Sequence, residues 1–216
     1  MFWCGGDILN LQKRKWWQKI IANARRADHI CENIVEHAEL YRMKIIAHKI
    51  QPCLFDDMSG IKVSFKPSKT PHVYLCVQPG REEEYGLNIV EKVAQLVPEV
   101  KFHIYGVKSK EGYTYKKYIL EDGRETVITY HGKIPNEQFN KEIKGYQAAL
   151  RMNEFDGASE VLMKSILMGQ YPISRIPYPK GIDSYQTTEE LVVLLKDLKN
   201  KKQPNPEVRK WRTILQ

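Results

Sequence analysis

From Pro71 to about residue 200, short β-branched or aromatic runs alternate with stretches of helical period, and no other feature of the chain narrows its fold as far. Parallel strands need a crossover of a dozen or more residues between them, usually a helix, so this alternation predicts a parallel α/β sheet. HVYLCV (72–77) is continuous and apolar, as a strand covered on both faces must be. In the next segment Ile89, Val90, Val93, Leu96 and Val97 fall on one helical face. KFHIYGV, ETVITYHG, YQAALRM and QYPISRI read as four further strands, with an irregular stretch through Gly123 before the second of them. NEQFNKEIKG reads as a short helix, and DGASEVLMKSILMG as a helix ended by Gly169. TTEELVVLLKDLKN is a helix with Leu191, Leu194, Leu195 and Leu198 in register and Thr188 as its N-cap. PEVRKWRTIL closes the chain as a helix with a proline in its first turn. The expected fold is α/β: a Rossmann-like parallel sheet with helices on both faces.

The beginning of the chain differs. FWCG reads as the tail of a strand, NLQKRKWWQKIIANARRA as one helix, HICEN as a strand, IVEHAELYRM as a helix and MKIIAHKI as a strand. That is an incomplete second α/β unit. The expected organisation is a partial unit over 1–55, a polar linker over 56–70, the main domain over 71–200, and a helix over 201–216 packing back on the N-terminal part.

Composition closes off several classes. Hydrophobic residues are 42% and charged residues 28% of the 216, ordinary for a globular protein. No run approaches the roughly 18 apolar residues that span a bilayer, and MFWCGGDILN lacks the basic segment and apolar core of a signal peptide. Cys4, Cys31, Cys53 and Cys76 form no C-x-x-C pair, which argues against zinc and for reduced thiols in the cytoplasm. No D-x-D metal motif is present, and no histidine falls in a catalytic-triad pattern.

The net charge of +8 predicts attraction to polyanions, or serves solubility alone. The six cations of residues 11–27 surround Trp16 and Trp17, with no acid between Asp7 and Asp28. Such a helix either rests on the anionic inner face of a membrane or packs its tryptophans on a sheet.

The stretch FDGASEVLMKSILMGQYPIS resembles the retaining GT-B glycosyltransferases, family four in particular: an acidic residue and glycine, a helix, a Gly-ended turn and a strand. GREEEYG stands where the family has its Gly-Arg loop, YHGKIP resembles its strand-Gly segment, and VRKWRTIL its tryptophan-bearing closing helix. WCGGDI resembles a Trp-x-Gly-x-Asp segment late in the N-terminal domain of some members. These motifs are collinear over nearly the whole chain. The resemblance implies a C-terminal donor-binding domain with part of an acceptor-side domain. It also implies retaining, metal-independent transfer of a glycosyl group from a nucleotide-activated sugar to an unidentified glycan, lipid or protein acceptor, with no cofactor.

The residues it implies as catalytic are Arg81, facing the leaving diphosphate, and Asp156, facing hydroxyls of the donor sugar. The implied donor-binding set adds Gly80, Tyr85, His131, Gly132, Arg151, Gly157, Ala158, Ser159 and Lys164. Two positions depart from the family: Tyr85 stands near a phosphate-binding lysine, and Lys164 replaces a glutamate that binds ribose. A lysine cannot accept a hydrogen bond, and on the bland reading Lys164 pairs with Glu160 on an exposed helix face. Independently, an open α/β sheet binds ligands at the C-terminal ends of its strands, and a helix opening after Gly157 would turn free N–H groups toward an anion. The alternatives are a non-catalytic GT-B-like binding protein and a basic nucleic-acid-binding α/β protein, nucleic acid being the disfavoured partner.

Overall fold

A computed structural model describes residues 2–3, 5–24, 28–32, 34–50, 58–109, 114–157 and 159–215. Two sheets organise them. The larger has seven strands: β4 (His72–Cys76), β5 (Lys101–Tyr105), β6 (Tyr115–Ile119), β7 (Glu125–Gly132), β8 (Ala148–Arg151), β9 (Ile173–Ser174) and β10 (Asp183–Ser184). Their order is β10-β9-β8-β4-β5-β7-β6, and every pair is parallel except β6 with β7.

Side-chain alternation decides what each face holds. Val73, Leu75, Phe102, Ile104, Ile128, Tyr130, Ala148 and Leu150 point to one face, where α4 (Leu87–Leu96) and α7 (Thr188–Asp197) cover them. Tyr74, Tyr105 and Ala149 point to the other, under α5 (Asn136–Glu142), α6 (Glu160–Leu167) and α8 (Val208–Leu215). With helices on both faces the central strands β4 and β8 are nearly apolar throughout, which is why they read so clearly. The chain leaves β4 toward β5 by way of α4, and leaves β8 toward β9 by way of α6 on the opposite face. The crevice between the ends of β4 and β8 is therefore the point where the winding reverses, the usual ligand position in such sheets.

The smaller sheet is β1 (Phe2–Trp3), β2 (His29–Cys31) and β3 (Ala47–Ile50), all parallel in that order. Helices α1 (Gly5–Gln12), α2 (Lys15–Ala22) and α3 (Ile34–Arg42) connect them. Its core is Trp3, Ile8, Leu11, Cys31, Leu40, Ile45 and Ala47, and Phe155 from the loop after β8 packs against it.

Four expectations need correction. The first helix is two, broken at Lys13 and Arg14, where Arg14 takes a non-helical conformation. The irregular stretch holds β6, whose charged alternation hides an edge strand paired with β7. The cap of α7 is Thr187, one residue earlier than expected, with Glu190 completing a reciprocal capping box. And α6 begins at Glu160 after Ser159, while Ala158 lies outside the described residues.

Candidate functional site

The loops that leave the C-terminal ends of β4, β5, β7 and β8 surround a cleft of about 350 Å³. Cys76, Gln78 and Tyr85 line it from the first loop, Tyr105 and Gly106 from the second, Gly132 and Lys133 from the third, and Arg151 from the fourth. Asn136 and Phe139 of α5 and Val161 and Lys164 of α6 form its floor. At the end of β5 a side chain would collide with the Val77 carbonyl, and φ at Gly106 is 93°, so only glycine fits there.

Arg151 dominates the electrostatics. Its Nε donates to Asp156 Oδ2 at 2.5 Å, with both side chains largely buried. Burial works against its charge, but the hydrogen bond it donates to Asp156, the charge of that carboxylate and the Tyr85 oxygen together outweigh it and hold the guanidinium above its usual range. The same guanidinium lies 4.6 Å from the centre of the Tyr85 ring, and Arg81 stands 5.5 Å from it. Tyr85 thus bridges two arginines. Arg81 itself is exposed and engaged within its own loop by Glu84 and by Gln78 at 3.2 Å. The Cys76 thiol, on the cleft wall, is pushed up to about 12 by burial, against the pull of Arg151 and Lys164.

The structure brings Tyr85, Gly132, Arg151 and Lys164 into one cleft, with Asp156 joined to it through Arg151 and Arg81 through Tyr85. Gly80 is exposed at the turn before Arg81. Ser159 is buried at the N-cap of α6. Lys164 is not on an exposed face: it is 7% exposed and lies between this cleft and a neighbouring cavity of about 800 Å³ under residues 60–64 and α5. The segment packed over α6, where Ser64 and Phe65 donate to the Met168 carbonyl, is what covers that side of the helix.

Gly157 is held from both sides. Tyr178 Oη donates to its carbonyl at 3.0 Å, and the Glu32 carboxylate, from the turn after β2, occupies the space that a Cβ would take. The small sheet thus approaches Gly157 through the end of the Glu32 side chain, which a Cβ there would have to displace. His131 leads away from the cleft. It stacks on Tyr105 and lies 3.0 Å from His103, which lies 2.8 Å from His72, and Glu142 faces its other nitrogen. Tyr105, Gly106, Gln78 and Glu32 were not legible as site residues. The two strand-end residues had a signal in the rule that ligands gather at strand C-termini, whereas Glu32 had none. Among the described residues no group of His, Cys, Asp and Glu is arranged to hold a metal ion.

No protein-family model matches the chain, and no curated protein matches it by sequence. Solved structures do match. A mutant of TarM from S. aureus, solved with Fondaparinux, alpha-GlcNAc-glycerol and UDP, superposes with a TM-score of 0.63 at 13% identity, over 94% of this chain and 45% of that one. The sucrose-phosphate synthase of Thermosynechococcus elongatus does so at 0.61 and 16%, over 94% and 57%. WaaB, a lipopolysaccharide outer core galactosyltransferase in its apo form, does so at 0.59 and 14%, over 85% and 56%. These structures have the GT-B glycosyltransferase fold, and the chain shares it. It spans about half the length of each.

Proposed function

We propose that the chain is the donor-binding part of a glycosyltransferase that takes a nucleotide-activated sugar and passes the glycosyl group, with retention, to an acceptor held by groups beyond this cleft. The observation that carries the reading is Arg151, a guanidinium buried at the reversal point of the sheet and held charged by Asp156 and Tyr85. A desolvated cation at the strand ends suits a diphosphate, and it acts most strongly where charge grows on the leaving oxygen. Arg81, which also contacts the Tyr85 ring, joins it once Glu84 releases it, while Asp156 orients hydroxyls of the sugar. Gly132 and His131 offer backbone to the base, Lys164 meets phosphate, and Gly80, Gly157, Ala158 and Ser159 shape the turns around it. The division at 55, 70 and 200 belongs to the same reading, as does a cytoplasmic location. The UDP in the TarM complex and in a GtfA complex with UDP and GlcNAc supports a uridine nucleotide as the first donor to try.

Melting curves with UDP, GDP and their sugars test this. A ligand at a hundred times its Kd stabilises by about 2.7 kcal/mol, which raises Tm by roughly 5–10 °C in a protein of this size. Arg151→Lys, which keeps the charge but loses the planar fork, is expected to abolish most of that rise. A panel with no stabilising nucleotide, or a rise that survives Arg151→Lys unchanged, would overturn the site. Product analysis with a broad acceptor set then separates a transferase from a binding protein that has lost its chemistry.

A further inference from the structure

Helix α2 buries none of its residues. Trp16 is 67% exposed, Trp17 46% and Ile20 42%, while Ile21 on the same arc is half-buried against the core of the small sheet. At 3.6 residues per turn these four share one stripe, and Lys15 and Lys19 fall on the opposite arc. The two indoles meet edge to face at 5.2 Å and form one aromatic ridge. Lys13, Arg14, Lys15 and Lys19 are all exposed, and among the described residues none of them is ion-paired.

Such a helix is costly to leave in water and well matched to one surface. Indoles and a β-branched chain on one arc, with cations on the other arc and at the helix start, fit the boundary between acyl chains and anionic head groups. We propose that α2 is a docking element for an anionic lipid bilayer, lying in the interface plane with Trp16, Trp17 and Ile20 inserted and the four cations at the phosphates. Charge complementarity selects the occupant: four cations beside a ridge only three residues wide favour a polyanionic surface over a neutral apolar partner. The ridge includes an aliphatic chain and two indoles set edge to face, which suits lipid better than the flat stacking that single-stranded nucleic acid requires. Docking here does not depend on the donor cleft, so either reading stands if the other fails.

The test is co-sedimentation and tryptophan fluorescence of the full chain with phosphatidylcholine vesicles, with and without phosphatidylglycerol. Expected are binding that depends on the anionic lipid, a blue shift of emission and weakening by salt. Trp16→Ser combined with Ile20→Ser lowers the partition at least about tenfold. Lys15→Gln and Lys19→Gln each lower it about fivefold on anionic vesicles only. These side chains are exposed, so circular dichroism and Tm of the variants are expected to match the parent. The proposal is overturned by absence of vesicle binding at low salt, or by binding that the Trp16→Ser, Ile20→Ser variant retains in full. It is also overturned if those substitutions abolish self-association or oligonucleotide binding while the parent leaves vesicles in solution.

Discussion

The two sheets are built from the same βα alternation, yet one is finished and the other is not. The seven-stranded sheet has helices on both faces and a core on each, with Phe102, Ile104, Leu150 and Ile166 all at 1% exposure or less. The three-stranded sheet has one core of seven side chains, and its helix α2 lies almost wholly in water. A βα unit thus acquires stability from the layers on either side of it, because burial stabilises in proportion to the apolar area removed from water. The small sheet therefore leans on the large one, through Phe155 in its core and Glu32 against Gly157.

Four measurements probe how far the two sheets differ. The largest effect is expected from core truncation. Phe102→Ala should cost about 3–5 kcal/mol and Leu40→Ala about 2–5, with hydrogen exchange rising everywhere in the first variant but only among residues of the small sheet in the second. Equal loss of protection in β4 and β5 from Leu40→Ala would make the sheets one cooperative unit. Next, Gly157→Val should cost about 1–3 kcal/mol by overpacking against Glu32 and abolish nucleotide binding, with β4 and β5 still protected. If Glu32→Ala does not restore part of that stability, the contact between sheets is not what Gly157 serves.

The third concerns the histidine chain on the large sheet. Burial, and then His72 and His131, push His103 down to about 3, against about 6.5 when unfolded. Between those values the unfolded chain holds the extra proton, so stability falls as pH drops below about 6.5, by at most about 1.4 kcal/mol per pH unit for the site. Burial lowers His72 and His131 in the same direction, and Lys101 and Glu142 are the charges facing them. His103→Asn should flatten the fall in Tm from pH 7 to pH 5, and an unchanged slope would assign the pH dependence to other groups. The smallest effect is Thr187→Ala, which removes the capping box of α7 and should cost about 1 kcal/mol; a neutral result would place α7 under the control of its Leu191 and Leu195 packing alone.

Legibility followed the same division. β4 and β8 are covered on both faces, so their apolar runs were visible without knowing their neighbours, and β5 and β7 were visible from their β-branched and aromatic residues. YKKYI of β6 and the two residues of β10 lie at the sheet edges, where one face stays in water and charge masks the period. Within the cleft, Arg151 could be marked because it ends a strand, and Asp156 because its Asp-Gly segment carries the family resemblance. That Tyr85 would lie against Arg151 depended on β4 and β8 being neighbours, which their separation in the chain conceals.

Sequence alone determined the α/β class, most of the strands of the main sheet and the helix that carries Trp16 and Trp17, since periodicity and local turn chemistry are properties of a few consecutive residues. The burial of Lys164 between two cavities, the reach of Glu32 to Gly157 and the exposure of the α2 tryptophans arise only in the assembled fold. Each of those depends on which distant segment covers a surface, and burial is a property of the assembled layers, not of the residues that lie beneath them.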